Sequence, residues 1–218
     1  MMNVVPLDDY EAQRVDRPPE FSEIALAHRF AGKHEDDLRY VAAWDKWLQW
    51  TGAHWRIDDT KLAFDLSRRV CSKASTECNE SRISSSLARA QTIAAVQKIA
   101  QADRRIAATV DQWDADPWLL NTPNGVVALK SGQIRQHSSA DYMTKMTAVG
   151  PGGDCPTWRT FLARVTANDA DLERFMQRMF GYALTGSTAE HALFFMFGTG
   201  ANGKSVTIDT ISGIMGDY

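Results

Sequence analysis

The chain has 218 residues, 44% of them hydrophobic, and a formal net charge of −3, which suits one large or two small globular domains and excludes a wholly disordered chain. No apolar run approaches the roughly 20 residues that span a bilayer, and the first residues lack the basic and apolar regions of a secretory signal, so a cytoplasmic location without membrane contact is expected. Cys71, Cys78 and Cys155 make an odd count with no C-x-x-C pair, which predicts reduced thiols and neither a disulfide frame nor a zinc ribbon.

Residues 1–20 are polar and acidic, end near Pro18-Pro19, and read as a tail or linker. "FSEIALAHRF" (Phe21 to Phe30) has the apolar spacing of a short helix, with Gly32 as its expected stop. From Leu38 to Ile57, aromatic and branched residues alternate around a Thr51-Gly52 turn, which predicts a β-meander or hairpin. Residues 59–110 then read as helices: one begins at Leu62, Leu66 and Val70, and a second carries Ile83, Leu87, Ile93, Val96 and Ile99.

Charge changes along the chain as well. Residues 1–60 hold 12 acids and 7 bases, whereas residues 61–110 hold 9 bases and 4 acids. A basic segment inside an acidic protein fits either a nucleic-acid-facing surface or a solvated helical face. The side chains in question include Arg68, Arg69, Lys73, Arg82, Arg89, Lys98, Arg104 and Arg105.

Strand signals return from Pro117 to His137, with Asn124-Gly125 and Ser131-Gly132 as turns, and "PGGDCP" (Pro151 to Pro156) marks the clearest boundary in the chain. Beyond it, Trp158, Phe161, Leu162 and Val165 form one helical stripe. Leu172, Phe175, Met176, Met179 and Phe180 form another, leading to Gly181 as two packed helices. "HALFFMF" (His191 to Phe197) reads as a strand buried on both faces.

That run leads into Gly198-Thr199-Gly200-Ala201-Asn202-Gly203-Lys204-Ser205, a match to G-x-x-x-x-G-K-[ST]. Small residues let successive backbone N–H groups turn inward around phosphates, and the helix carried by Val206, Ile208, Ile211 and Met215 adds its positive end. Lys204 is placed to reach the β- and γ-phosphates, and the Ser205 hydroxyl to ligate Mg²⁺. Hydrolysis also needs an acidic residue at the end of a second strand and a cation for the transferring phosphoryl. After Ser205 only Asp209 and Asp217 are acidic, and Asp209 lies in the loop's own helix. This chain alone is expected to be a poor ATPase.

In their order, three stretches resemble the helicase part of phage and plasmid replication primase–helicases, superfamily 3 motors related to poxvirus-type primase–helicases. They are "RYVAAWDKWLQWTGAHWRID" (Arg39 to Asp58), "LLNTPNGVVALKSGQIRQHSSADYMTKM" (Leu119 to Met146) and "FMQRMFGYALTGSTAEHALFFMFGTGANGKS" (Phe175 to Ser205). The resemblance implies ATP-driven separation of single-stranded or forked DNA by a homo-oligomeric ring, a hexamer with ATP sites between subunits. It assigns nucleotide contacts to Gly198, Thr199, Gly200, Ala201, Asn202, Gly203, Lys204, Ser205 and Val206, with Lys204 nearest the chemistry and ATP and Mg²⁺ as cofactors.

The expected fold class is α/β: a tail over 1–20, a small α+β domain over 21–150, and over 151–218 a helical lead-in with the opening strand, loop and helix of a P-loop ATPase domain. The resemblance has the chain truncated just after the loop. The alternative function is a non-catalytic DNA-binding or assembly module that could join and poison a ring. DNA contacts are expected at Arg82, Arg89, Lys98, Arg104 and Arg105. Trp44, Trp47, Trp50 and Trp55 suit a β core better than base stacking. Asp114-x-Asp116 and Asp169-x-Asp171 do not follow apolar strands, and the second pair suits a helix N-terminus rather than a metal centre.

Overall fold

The structure is a computed structural model that describes residues 18–198 and 200–218; most of the tail expected at 1–20 and the loop residue Thr199 lie outside them. Among the described residues are seven α-helices and two small sheets, a mixed α/β architecture. The chain divides into two compact units. One joins the stretch ending at Glu35 to Asp58–Ala107, and the other joins Asp36–Ile57 to Ala108–Tyr218.

The first unit is helical. Ser22 caps α1 (Glu23–His34), its hydroxyl accepting from the Ala25 N–H at 3.2 Å, while Glu23 at the start and Lys33 and His34 at the end complement the helix dipole. The helix does not stop at Gly32 as its composition predicts. A glycine inside a helix costs about 1 kcal/mol against alanine; here the tip of the Arg105 side chain lies beside it, 2.9 Å from where a Cβ would stand. Arg105 donates beside it to the His28 carbonyl and to Asp103.

α2 (Leu62–Glu77) turns Ala63, Ser67, Val70, Cys71 and Ala74 inward at helical spacing. The Asp58 carboxylate prepares its start by accepting from the Thr60 and Ala63 N–H groups. The single helix expected from Ile83 to Ile99 is two, α3 (Ser81–Leu87) and α4 (Ala90–Ala100). Serine chemistry explains the break: Ser75 and Ser84 bond each other's backbone carbonyls through their hydroxyls, and Thr92 takes the Ser86 carbonyl at 3.0 Å. Burial pushes the Cys71 thiol up to about 11, assisted by the Glu23 charge, so this cysteine is a core residue.

The second unit opens with the predicted meander: β1 (Leu38–Val41), β2 (Lys46–Trp50) and β3 (Trp55–Ile57), antiparallel in register Tyr40↔Trp47 and Trp50↔Trp55. The short β4 (Ala107–Ala108) flanks β1, giving the order β3-β2-β1-β4. Val41, Leu48, Trp55, Ala108 and Trp113 form the core on one face of this sheet, with Trp50 and Tyr142 packed against them. Trp55 is fully buried, donates from Nε1 to the Ser139 carbonyl at 2.9 Å, and carries the Arg39 guanidinium 5.2 Å from its ring. Trp47 is buried too, against Tyr40, whereas Trp44 reaches the surface beside Trp113. The tryptophans are therefore mainly structural, as expected.

β5 (Leu119–Thr122), β6 (Gly125–Ala128) and β7 (Gln133–Arg135) form the second sheet, in the order β5-β6-β7. Gly125 holds φ 137° and a Cβ there would overlap the Arg135 carbonyl, so the Asn124-Gly125 turn admits no side chain at its second position. Buried Asn121 ties this sheet to its surroundings. Its Nδ2 donates to the Ala53 and Lys145 carbonyls, both at 3.0 Å, and its backbone N–H donates to the Tyr218 hydroxyl at 2.9 Å. Burial raises the Tyr218 phenol above its ordinary range, assisted by the Asp114 charge and opposed by the bond from Asn121.

α5 (Pro156–Val165) and α6 (Ala170–Ala183) stand where the stripes predict them. Asp169 caps α6 by accepting from the Asp171 and Leu172 N–H groups. The apolar faces of these helices are only partly covered: Met179 is buried, but Leu172 and Phe175 are exposed.

The expected buried strand at His191–Phe197 is not formed. The segment has no ladder partner among the described residues, and Leu193, Phe195 and Phe197 are 91%, 81% and 83% exposed. A strand buried on both faces requires neighbours on both edges, and both sheets described here are built from other residues. α7 (Lys204–Met215) follows the glycine-rich loop, as its pattern predicts.

Candidate functional site

The loop between Phe197 and α7 is shaped by its glycines and by α5. Gly200 and Gly203 take φ 101° and 83°, and Ala201 between them takes 50°, a run of left-handed backbone that bulky residues resist. Gly203 is also sterically required: a Cβ would sit 2.6 Å from Val165 Cγ1 and 2.9 Å from Phe161 Cζ. The stripe of α5 thus serves as the wall on which the loop turns. Thr207, one turn into α7 and buried, fixes the helix start by donating from its hydroxyl to the Gly203 carbonyl at 3.0 Å.

The chemistry-bearing groups converge inside this turn. Lys204 Nζ donates to Asn202 Oδ1 at 2.7 Å and to the Gly198 carbonyl at 3.3 Å. The Asn202 carboxamide lies so close over Gly198 that a Cβ there would collide with its Nδ2. Among the described residues, the backbone N–H groups from Ala201 to Val206 have no hydrogen-bond partner. Ser205 and Val206 are exposed on the first turn of α7. One ammonium, a helix N-terminus and a set of free amide donors therefore meet at one place, which is a concentration of positive potential suited to an anion.

Beside the loop lies a cavity of about 460 Å³, walled mainly by Leu172, Phe175, Met179 and Phe194 and bordered by Asn202 and Lys204. Of the sequence-predicted loop residues, Gly198, Gly200, Ala201, Asn202, Gly203, Lys204, Ser205 and Val206 come together here. Three contributors were not evident in the sequence: Phe161 and Val165 beneath Gly203, and Thr207 behind it. Their signal was available in the α5 stripe and in the four-residue step from Gly203 to Thr207. As for metal, no cluster of three or more His, Cys, Asp or Glu side chains occurs among the described residues. At the start of α7 the exposed Ser205 hydroxyl is an uncharged oxygen donor.

The basic candidates occupy the first unit. Arg68 and Arg69 pair with Asp65, and Lys73 with Glu77. Arg105 pairs with Asp103 at 2.7 Å and approaches Glu35; hydrogen bonds from Arg105 hold the Asp103 carboxyl below the usual carboxylate range against the opposing effect of burial. Arg82, Arg89, Lys98 and Arg104 are exposed and make no ion pair among the described residues. Of these eight basic candidates, four are therefore paired with a carboxylate and four are left to solvent among the described residues. No helix among the described residues is long and apolar enough to cross a membrane.

No curated protein matches the chain. A family model described as D5 N terminal like matches residues 27–167, well over half of the sequence. The match begins within α1, takes in the rest of the helical unit and both sheets, and ends before the glycine-rich loop. The chain belongs to the D5 N-terminal-like family, the N-terminal region of phage and plasmid primase–helicase-type proteins.

Proposed function

We propose that this chain is the N-terminal part of an ATP-dependent replicative DNA helicase of phage or plasmid type, and that Gly198–Val206 is its triphosphate-binding loop. The observation that carries the reading is that Lys204 Nζ turns back onto the loop at the start of α7, where the N–H groups of Ala201–Val206 have no partner among the described residues. Anions bind where helix N-termini and unpartnered backbone donors meet a lysine. In this reading Lys204 contacts the β- and γ-phosphates and Ser205 ligates the Mg²⁺ carried by the nucleotide, which would supply charge neutralisation at the phosphates. DNA is the polymeric partner, the working form is a ring, and the setting is the cytoplasm of a bacterial cell.

The chain binds ATP but turns it over slowly in this account, since none of its strands among the described residues presents an acidic residue to the loop. A second reading, a DNA-binding or assembly module without catalysis, draws support from Arg82, Arg89, Lys98 and Arg104, which make no ion pair among the described residues. Titration with ATP and Mg²⁺ separates the two. Binding that is lost in Lys204→Ala supports the nucleotide loop. Salt-sensitive binding to single-stranded DNA with no ATP binding at all supports the module.

A further inference from the structure

We infer that the Asn202 carboxamide is an internal plug of the phosphate loop, holding Lys204 in the position that an incoming phosphate must take over. The inference rests on the nucleotide-loop reading above and adds a role for a residue that the G-x-x-x-x-G-K-[ST] pattern leaves unspecified.

Three observations carry it. First, of the two acceptors that Lys204 Nζ uses, Asn202 Oδ1 is the nearer, at 2.7 Å against 3.3 Å for the Gly198 carbonyl. Second, the half-buried carboxamide lies across Gly198 in space that a Cβ on that residue would need, with the Lys204 ammonium beside the same position. Third, the N–H groups of Ala201–Val206 have no partner among the described residues, so Lys204 meets only two neutral acceptors, the Asn202 amide and the Gly198 carbonyl, where these donors together would suit an anion.

A carboxamide oxygen resembles one phosphate oxygen in reach and geometry, but it is uncharged and can satisfy only one or two donors. A phosphate satisfies more of them and carries full charge, so it displaces the amide. Displacement requires breaking the bond between Lys204 and Asn202, and this lowers the apparent affinity. Asn202 therefore sets how readily the loop accepts phosphate, and it keeps weakly charged anions out. The Gly198 carbonyl, the more distant acceptor, can stay with Lys204 when phosphate enters, so the ammonium remains aimed at the mouth of the loop.

The test is calorimetric titration with inorganic tripolyphosphate and, separately, with ATP and Mg²⁺. It uses the full chain, Asn202→Ala, Asn202→Asp and Lys204→Ala, with circular dichroism as a folding control. Removal of one competing hydrogen bond to a charged group predicts that Asn202→Ala binds tripolyphosphate about threefold to tenfold more tightly than the unmodified chain. Asn202→Asp, which replaces the neutral plug by an ion pair to Lys204, is expected to bind at least about tenfold more weakly, with the deficit shrinking as salt rises. A merely structural asparagine would weaken binding in both variants.

Equal or weaker binding by Asn202→Ala overturns the plug. If the unmodified chain binds in a Lys204-dependent way while Asn202→Ala shows no gain, the plug fails and the loop stands. If neither protein binds, both fall.

Discussion

Replacing Asn121 by alanine should destabilise the second unit by about 2 kcal/mol. The side chain is fully buried and its Nδ2 serves two carbonyls, those of Ala53 and Lys145. A carbonyl deprived of its donor inside a protein costs about 1–3 kcal/mol. Lys145 is exposed, so water can replace part of that loss, whereas Ala53 is half-buried. Against this stands one relief: Asn121 Oδ1 is itself buried without a hydrogen-bond partner among the described residues, and alanine removes it. Together these leave a cost of about 2 kcal/mol. Asn121→Asp, nearly the same shape, turns an oxygen toward those two carbonyls and should cost more at pH 7, about 4 kcal/mol.

The sign with pH distinguishes a charge effect from a packing effect. A buried carboxyl facing carbonyl oxygens has its folded pKa raised. The stability that its protonated form contributes is present below the unfolded value and is lost as pH rises through the folded one. The aspartate variant should therefore close its gap to the unmodified chain as pH falls toward about 4. Urea unfolding followed by tryptophan fluorescence suits the measurement, because all seven tryptophans belong to the second unit. A cost under about 0.5 kcal/mol for Asn121→Ala would refute the reasoning.

At the loop, Gly203→Ala and Gly200→Ala both meet positive φ, but only the first meets Phe161 and Val165. The first should abolish ATP binding and the second only weaken it severalfold; equal effects by titration would remove α5 as the loop's wall. Asp103 has a depressed folded pKa, so its contribution to stability is present above the ordinary carboxylate range and disappears as pH falls through the folded value. Asp103→Asn should flatten that acid limb in a helix-monitored unfolding series, and an unchanged limb would count against the Arg105 pairing. Of the three thiols, exposed Cys155 should react with a disulfide reagent within seconds, while buried Cys71 should wait for unfolding. Three thiols reacting at one rate would contradict the described core.

Local chemistry made part of this fold legible. Asn124-Gly125 is a turn at which only glycine fits against the Arg135 carbonyl, and α2 is legible from Leu62, Leu66 and Val70, although of these only Val70 is fully buried, beside Ala63, Ser67, Cys71 and Ala74. The failures arise where a distant partner decides. Gly32 stays inside α1, which runs on to His34, with Arg105 from far along the chain packed beside it. The break after Leu87 depends on Ser75 reaching Ser84 across to a neighbouring helix. His191–Phe197 carries the composition of a buried strand, but composition does not provide the neighbouring strands that would bury it. The same division holds at the site: the pattern located Lys204 and Ser205, yet the placement of the Asn202 carboxamide over Gly198 appears only in three dimensions.

Whether the Gly198–Val206 turn receives a triphosphate is read by calorimetric titration of the full chain with ATP and Mg²⁺, beside Lys204→Ala of equal helical content. Saturable one-to-one binding is expected, falling at least about tenfold in the variant, as loss of a charge-assisted contact requires. Equal binding by both proteins, or none by either, would contradict it.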